Sequence, residues 1–164
     1  MSADRRLGFT RARDLLAIGL LAAIAGYVLV RLNYGRMPVL PRLAGVVAAL
    51  VGLAEAVAGW SLRSRIRAAA HPRRGDEPQI KPVPPLTAAR AVLAAKATSL
   101  AGSAFAGLWL GLLAYVLPAS DDVVAAGADT VTALIGLIGA LVMVAGALFL
   151  EHCCRAPAEP PGAR

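Results

Sequence analysis

A chain of 164 residues is long enough for one ordinary domain, yet 58% of it is hydrophobic, 16% is charged, and its mean hydropathy is +0.65. That apolar excess excludes a soluble enzyme, a disulfide-stapled secreted module and a disordered chain. The net charge of +7 then has to be explained by where the basic residues fall.

Four apolar stretches follow one another, each near the ~20 residues a helix needs to cross a bilayer core. The first is expected over 14–34, with Arg31 reaching back toward head groups. Ala23-Ile24-Ala25 before Gly26 looks like a signal-peptide cleavage site. The apolar run nevertheless continues through Val30, so a retained span is the expectation. The second span, 42–63, is broken only by Glu55. A basic, proline-containing loop over 64–86 separates it from the third span, 87–117, for which Thr87 serves as N-cap and which contains Lys96. The fourth span, 130–152, is uninterrupted, and a flexible tail follows over 156–164. All eleven prolines fall outside these spans, and period-two alternation is absent, so helices are expected rather than a barrel. The predicted fold is all-α: a polytopic membrane protein whose four helices form a small bundle of two antiparallel hairpins.

The basic residues set the orientation, because Lys and Arg near span ends are retained on the cytoplasmic side. Arg5, Arg6, Arg11 and Arg13 precede the first span, and Arg63, Arg65, Arg67, Arg73, Arg74, Lys81 and Arg90 lie between the second and third. The loop before the fourth span carries Asp121, Asp122 and Asp129 and no basic residue. Both termini are therefore expected in the cytoplasm of a plasma-membrane protein, with Arg31, Arg36 and Arg42 weakening the bias without reversing it. The segment from Arg63 to Arg74 lacks the interleaved aromatics of a nucleic-acid binder. Its expected partner is anionic lipid, which attracts basic residues by ~1 kcal/mol each.

Glu55 and Lys96 are the most informative side chains, since an ionisable group inside a span costs ~2.5–3.5 kcal/mol on insertion scales. Counted from Arg63 and Arg90 at ~1.5 Å per residue, both are expected roughly 9–12 Å deep. Gly45, Ala48, Gly52, Glu55 and Gly59 share one face of the second helix, and Lys96, Ser99, Ser103 and Gly107 share one face of the third. Laid antiparallel, these stripes would set Glu55 opposite Lys96, Gly52 opposite Ser99 and Ala48 opposite Ser103. The expectation is a tight hairpin of the second and third helices, its small residues letting the backbones approach and its charges locked as an ion pair. The alternative role for the two charges is a proton or ion site. Further small-residue stripes, Gly19/Ala22/Gly26 and Ala133/Gly136/Ala140, suit packing within the bundle or between subunits.

Glu151-His152-Cys153-Cys154-Arg155 contains metal-ligand residue types, but adjacent helical positions diverge by ~100° and cannot readily close on one ion. The default roles there are structural, with Glu151 and Arg155 ordered for an i, i+4 pair. No catalytic constellation and no cofactor motif is visible, so neither an enzyme nor a cofactor is expected.

Taken together, several runs resemble one family. They are Ala25-Gly26-Tyr27 to Arg31-Leu32, Leu53-Ala54-Glu55-Ala56 to Trp60 with Leu62-Arg63, Thr87-Ala88-Ala89-Arg90-Ala91-Val92 to Lys96-Ala97, and Glu151-His152-Cys153-Cys154-Arg155. In this order and spacing they resemble a family of small four-helix membrane proteins of actinobacteria, a domain of unknown function often encoded beside folate-biosynthesis genes. The resemblance spans nearly the whole chain and brings no catalytic or binding residue with it. Small multidrug exporters also have four spans and a membrane glutamate, but theirs lies in the first span, and this chain does not fit them. The expected role is structural or accessory, through contacts with a second copy or another membrane protein; the alternative is a small transporter or proton-coupled carrier using Glu55 and Lys96.

Overall fold

The computed structural model describes residues 11–33, 43–70, 85–119 and 124–154. They form four helices: α1 (Ala12–Asn33), α2 (Leu43–Ala70), α3 (Pro85–Ala119) and α4 (Val124–Cys153). Each is long and apolar enough to cross a membrane, and no strand occurs among the described residues. The all-α class expected from the sequence is what the chain forms.

Local sequence explains most of the helix ends. Asp14 in the first turn of α1 and Arg31 in its last turn both oppose the helix dipole in the favourable sense. The α3 helix begins at Pro85, two residues before the expected cap Thr87; proline suits a first helical position, where its missing N–H is not needed. Pro118 lies inside the last turn of α3, so the expectation that every proline avoids the helices is corrected at these two positions. The α2 helix runs on to Ala70 through part of what was expected to be loop, because Ala68-Ala69-Ala70 are strong helix formers. Basic residues 71–81, with Arg36, Arg42 and Arg155, lie outside the described residues.

Polar side chains within the helices turn back onto their own backbone. Ser61 Oγ donates to the Ala58 carbonyl at 2.9 Å, Thr98 Oγ1 to Ala94 at 3.0 Å and Thr132 Oγ1 to Ala128 at 3.0 Å. In a medium that offers no water, such bonds are how a hydroxyl is satisfied without a partner helix.

The helices are arranged in an open row, α1–α3–α4–α2. The substantial interfaces are α1 with α3, α3 with α4, and α4 with α2. Burial follows the same order: 39% of the membrane-spanning window is buried in α3 and in α4, against 17% in α1 and in α2. The two inner helices have neighbours on both sides and the two edge helices on one. Of the chain-adjacent pairs, only α3 and α4 form a closely packed hairpin; α1 packs parallel to α3, and α2 parallel to α4. One core cluster lies toward the C-terminal ends of α1 and α3 and the N-terminal part of α4, where Val30, Leu112, Leu113, Val116 and Ala133 pack with Trp109, Tyr115 and Leu137 around them. Tyr27 and Tyr115 meet edge to face there, with ring centroids 6.2 Å apart.

Candidate functional site

Glycine builds the α2/α4 seam. A methyl group added at Gly52 would stand 2.6 Å from the Met143 Cα, and one at Gly45 would stand 2.6 Å from the Ile135 carbonyl oxygen. From the other side, a Cβ at Gly139 would collide with the Gly45 carbonyl and one at Gly146 with the Gly52 carbonyl. Gly59 continues the line against Leu150 and Phe149, and Ala48 is half-buried beside it. This is backbone on backbone, the close approach that membrane helices use where burial from water supplies no drive.

The glycines of the α2 stripe approach α4 and not α3. The reason is steric. Gly139 and Gly146 share the seven-residue spacing of Gly45 and Gly52, so glycine meets glycine over one heptad, and Gly59 extends the line against Leu150; Ser99 and Ser103 would have held α2 further away. The sequence signal that could have found this was the pair of matching glycine intervals in the second and fourth spans.

On α3, Gly107 and Gly111 face α1, where a Cβ would run into the carbonyls of Gly19 and Ala23. Ser103 is buried and its Oγ donates to the Leu15 carbonyl of α1. Ser99 is fully buried, and its Oγ donates to the Lys96 carbonyl at 2.9 Å. Ser103→Ala is expected to cost about 1 kcal/mol by removing the α1/α3 hydrogen bond, read as a lower unfolding midpoint in mild detergent. An unchanged midpoint would mean that the bond contributes nothing.

The row separates the residues that were expected to pair. Glu55 sits half-buried on the α4-facing side of α2, and Lys96 sits half-buried on α3, with α4 between the two helices. The structure does not bring them together, and the Glu55–Lys96 lock is corrected accordingly. They remain at similar heights. Gly59 lies beside Phe149 and Leu150, and Gly102 beside Ala140 and Val144. These contacts put Glu55, Lys96 and the buried Glu151 in one band about 11 Å tall, two helical turns. Because Gly19 lies beside Ser103 and Gly107, the band is level with the first turn of α1, near Arg13 and Asp14. Charge is thus gathered toward the helix ends that carry Arg11, Arg13, Arg65 and Arg90 exposed, where it is cheaper than at mid-bilayer. The carboxyl oxygen Oε2 of Glu55 is buried without a hydrogen-bond partner.

At the end of α4 both thiols are free, Cys153 buried and Cys154 partly so. Burial, then the neighbouring Cys153, pushes the Cys154 thiol above its ordinary value of 9.0. A raised pKa keeps the thiol neutral, and the thiolate is the nucleophile. Alkylation of Cys154 at pH 7 is expected to be slower than that of an unhindered cysteine, its rate climbing with pH as the thiolate fraction grows and levelling off only above about pH 9. Rapid labelling at neutral pH would contradict this environment.

Four membrane-length helices, glycine seams between them and a charged band at one end define a small multi-pass membrane protein. The chain belongs to the family described as Protein of unknown function (DUF3180), whose model matches residues 15–158. No curated protein and no solved structure significantly matches it.

Proposed function

We propose that this is a structural or accessory protein of the plasma membrane, acting through helix contacts with a second copy or with another membrane protein, both termini in the cytoplasm. The observation that carries the reading is the open edge of the row. Each edge helix rests on one neighbour, and α2 leaves Leu50, Leu53, Val57 and Trp60 more than half exposed, Trp60 at 71%. An edge with an unclosed flank is where a further helix adds to the row without disturbing its glycine seams. Basic residues on the N-terminal side of α1 and after α2 support the orientation. In this reading the chain is not an enzyme. Its lipid partner at the basic segment is anionic, and nucleic acid is not a partner. A photocrosslinking residue at Leu53 or Val57 is expected to capture one discrete protein adduct in native membranes. Lipid adducts alone, together with solute flux in liposomes, would overturn the reading.

A second reading, a proton- or cation-coupled carrier, is favoured by the buried, unpartnered Oε2 of Glu55. An unused acceptor inside a span is a place where a cation or a donor group of a solute binds. Loss of flux in Glu55→Gln liposomes, with the bundle intact, would select this reading over the first.

A further inference from the structure

The inner face of α1 closes on α3 through Leu15, Gly19 and Ala23 but stands off from α4. From Ala12 to Ala23 it borders a groove of about 510 Å³ whose floor is α3 and whose far wall is α4. The volume suits a small-molecule site, for which ~300–1,000 Å³ is usual. The groove exists because α3 presents Ser103, Ala106 and Gly107 there, residues too small to fill the space between α1 and α4. Its walls are aliphatic, with Leu16, Leu20, Leu137, Leu141 and Val144 among them. The one hydroxyl among its lining residues, on Ser103, is already donated to Leu15.

Three features identify the occupant. The first is length: Ala12 to Ala23 covers about 16 Å at ~1.5 Å per residue, half of a ~30 Å hydrocarbon core and therefore one leaflet. A partner helix would need the whole thickness, whereas an acyl chain needs half. The second is the blocked end. Beyond Ala23 the Tyr27–Tyr115 contact and the cluster of Val30, Leu112 and Val116 fill the space, so the groove stops where a lipid chain ends. The third is charge at the open end. Arg11 and Arg13 are exposed beside Ala12, at the first turn of a helix whose free N–H groups also favour an anion. Asp14 stands near them, with its Oδ1 3.5 Å from the Arg13 Nε and side chains 77% and 55% exposed for Arg13 and Asp14. Such an exposed contact is weak and leaves Arg11 and the outer edge of the Arg13 guanidinium for a phosphate.

We infer that this groove seats one acyl chain of an anionic phospholipid from the leaflet at the N-terminal end of α1, with Arg11 and Arg13 holding its phosphate. The head group is recognised by charge and the chain by fit. The site is separate from the basic segment after α2.

The full chain is reconstituted in nanodiscs of phosphatidylcholine, doped with phosphatidylglycerol that carries a photoreactive group near the end of its chain. Labelling is expected within the α1 and α4 walls, at 15–23 and 137–144, in excess over the outer face of α2. An equally labelled phosphatidylcholine probe is expected to give on the order of ten-fold less, the scale of two basic contacts at a membrane surface. Arg11→Gln with Arg13→Gln touches no packed residue and is expected to remove that preference. Ala106→Phe fills the floor and is expected to remove groove labelling while the thermal midpoint reports whether the bundle still folds. Uniform labelling of all lipid-facing helices would overturn the inference, as would a preference that survives the arginine changes. Protein–protein crosslinks through the groove walls, showing a second copy seated there, would overturn it too.

Discussion

Gly146→Leu is expected to lower the unfolding midpoint in mild detergent by about 10 °C, the effect of losing ~3 kcal/mol in a chain of this size. The collision is with the Gly52 carbonyl, and backbone cannot rotate aside as the tip of a side chain can. Relief requires α2 and α4 to separate along the seam, which also loosens Gly45 against Gly139, because these contacts repeat along one face. Gly146→Ala should already be severe, since the Cβ itself is the colliding atom. Gly127→Leu is the matched control: nothing lies within 4 Å of a Cβ there, and the same substitution should leave the midpoint nearly unchanged. Equal midpoints for the two leucine variants would remove the parallel α2/α4 seam from the fold.

The seam also shows what the sequence could and could not disclose. Number, type and membrane-spanning character of the helices follow from composition, because apolar runs of this length allow few alternatives. Which helix packs on which does not follow. A stripe of small residues states that some backbone will come close and is silent about whose; Gly52 fits opposite Ser99 in a hairpin arithmetically as well as it fits Gly146 in the structure. Chain proximity made the hairpin the natural expectation, and glycine on both sides made the α2/α4 contact the closer one. The charged residues followed the helices. Glu55 and Lys96 were placed at matching heights from their distances to Arg63 and Arg90, and the heights agree. Their neighbours changed because α4 stands between them. Height is set by sequence position along a helix, whereas azimuth and neighbour are set by packing across helices. The lipid groove was invisible for a related reason: Ser103 and Gly107 read as packing residues and do pack on α1, and the space left beside that contact, between α1 and α4, depends on how the helices sit across the row.

Two double-mutant cycles are expected to give opposite results, and together they test the helix order through its charges. For Glu55→Gln combined with Lys96→Met, the effects on stability should add to within ~0.5 kcal/mol, as they do for sites without shared contacts. In the other cycle, Lys96→Met combined with Glu151→Gln, a coupling of at least ~1 kcal/mol is expected. The antiparallel α3/α4 register brings these two level, and Glu151 is only 6% exposed. Removing a cation level with a desolvated carboxylate strands that carboxylate, while removing both charges replaces a costly arrangement with a tolerable one. Lys96→Met alone should thus be the most damaging of the single changes, since it leaves the buried Glu151 without the cation at its height, and Glu151→Gln should partly rescue it. Strong coupling between Glu55 and Lys96 would require α2 and α3 to touch, and the row α1–α3–α4–α2 would then have to be abandoned.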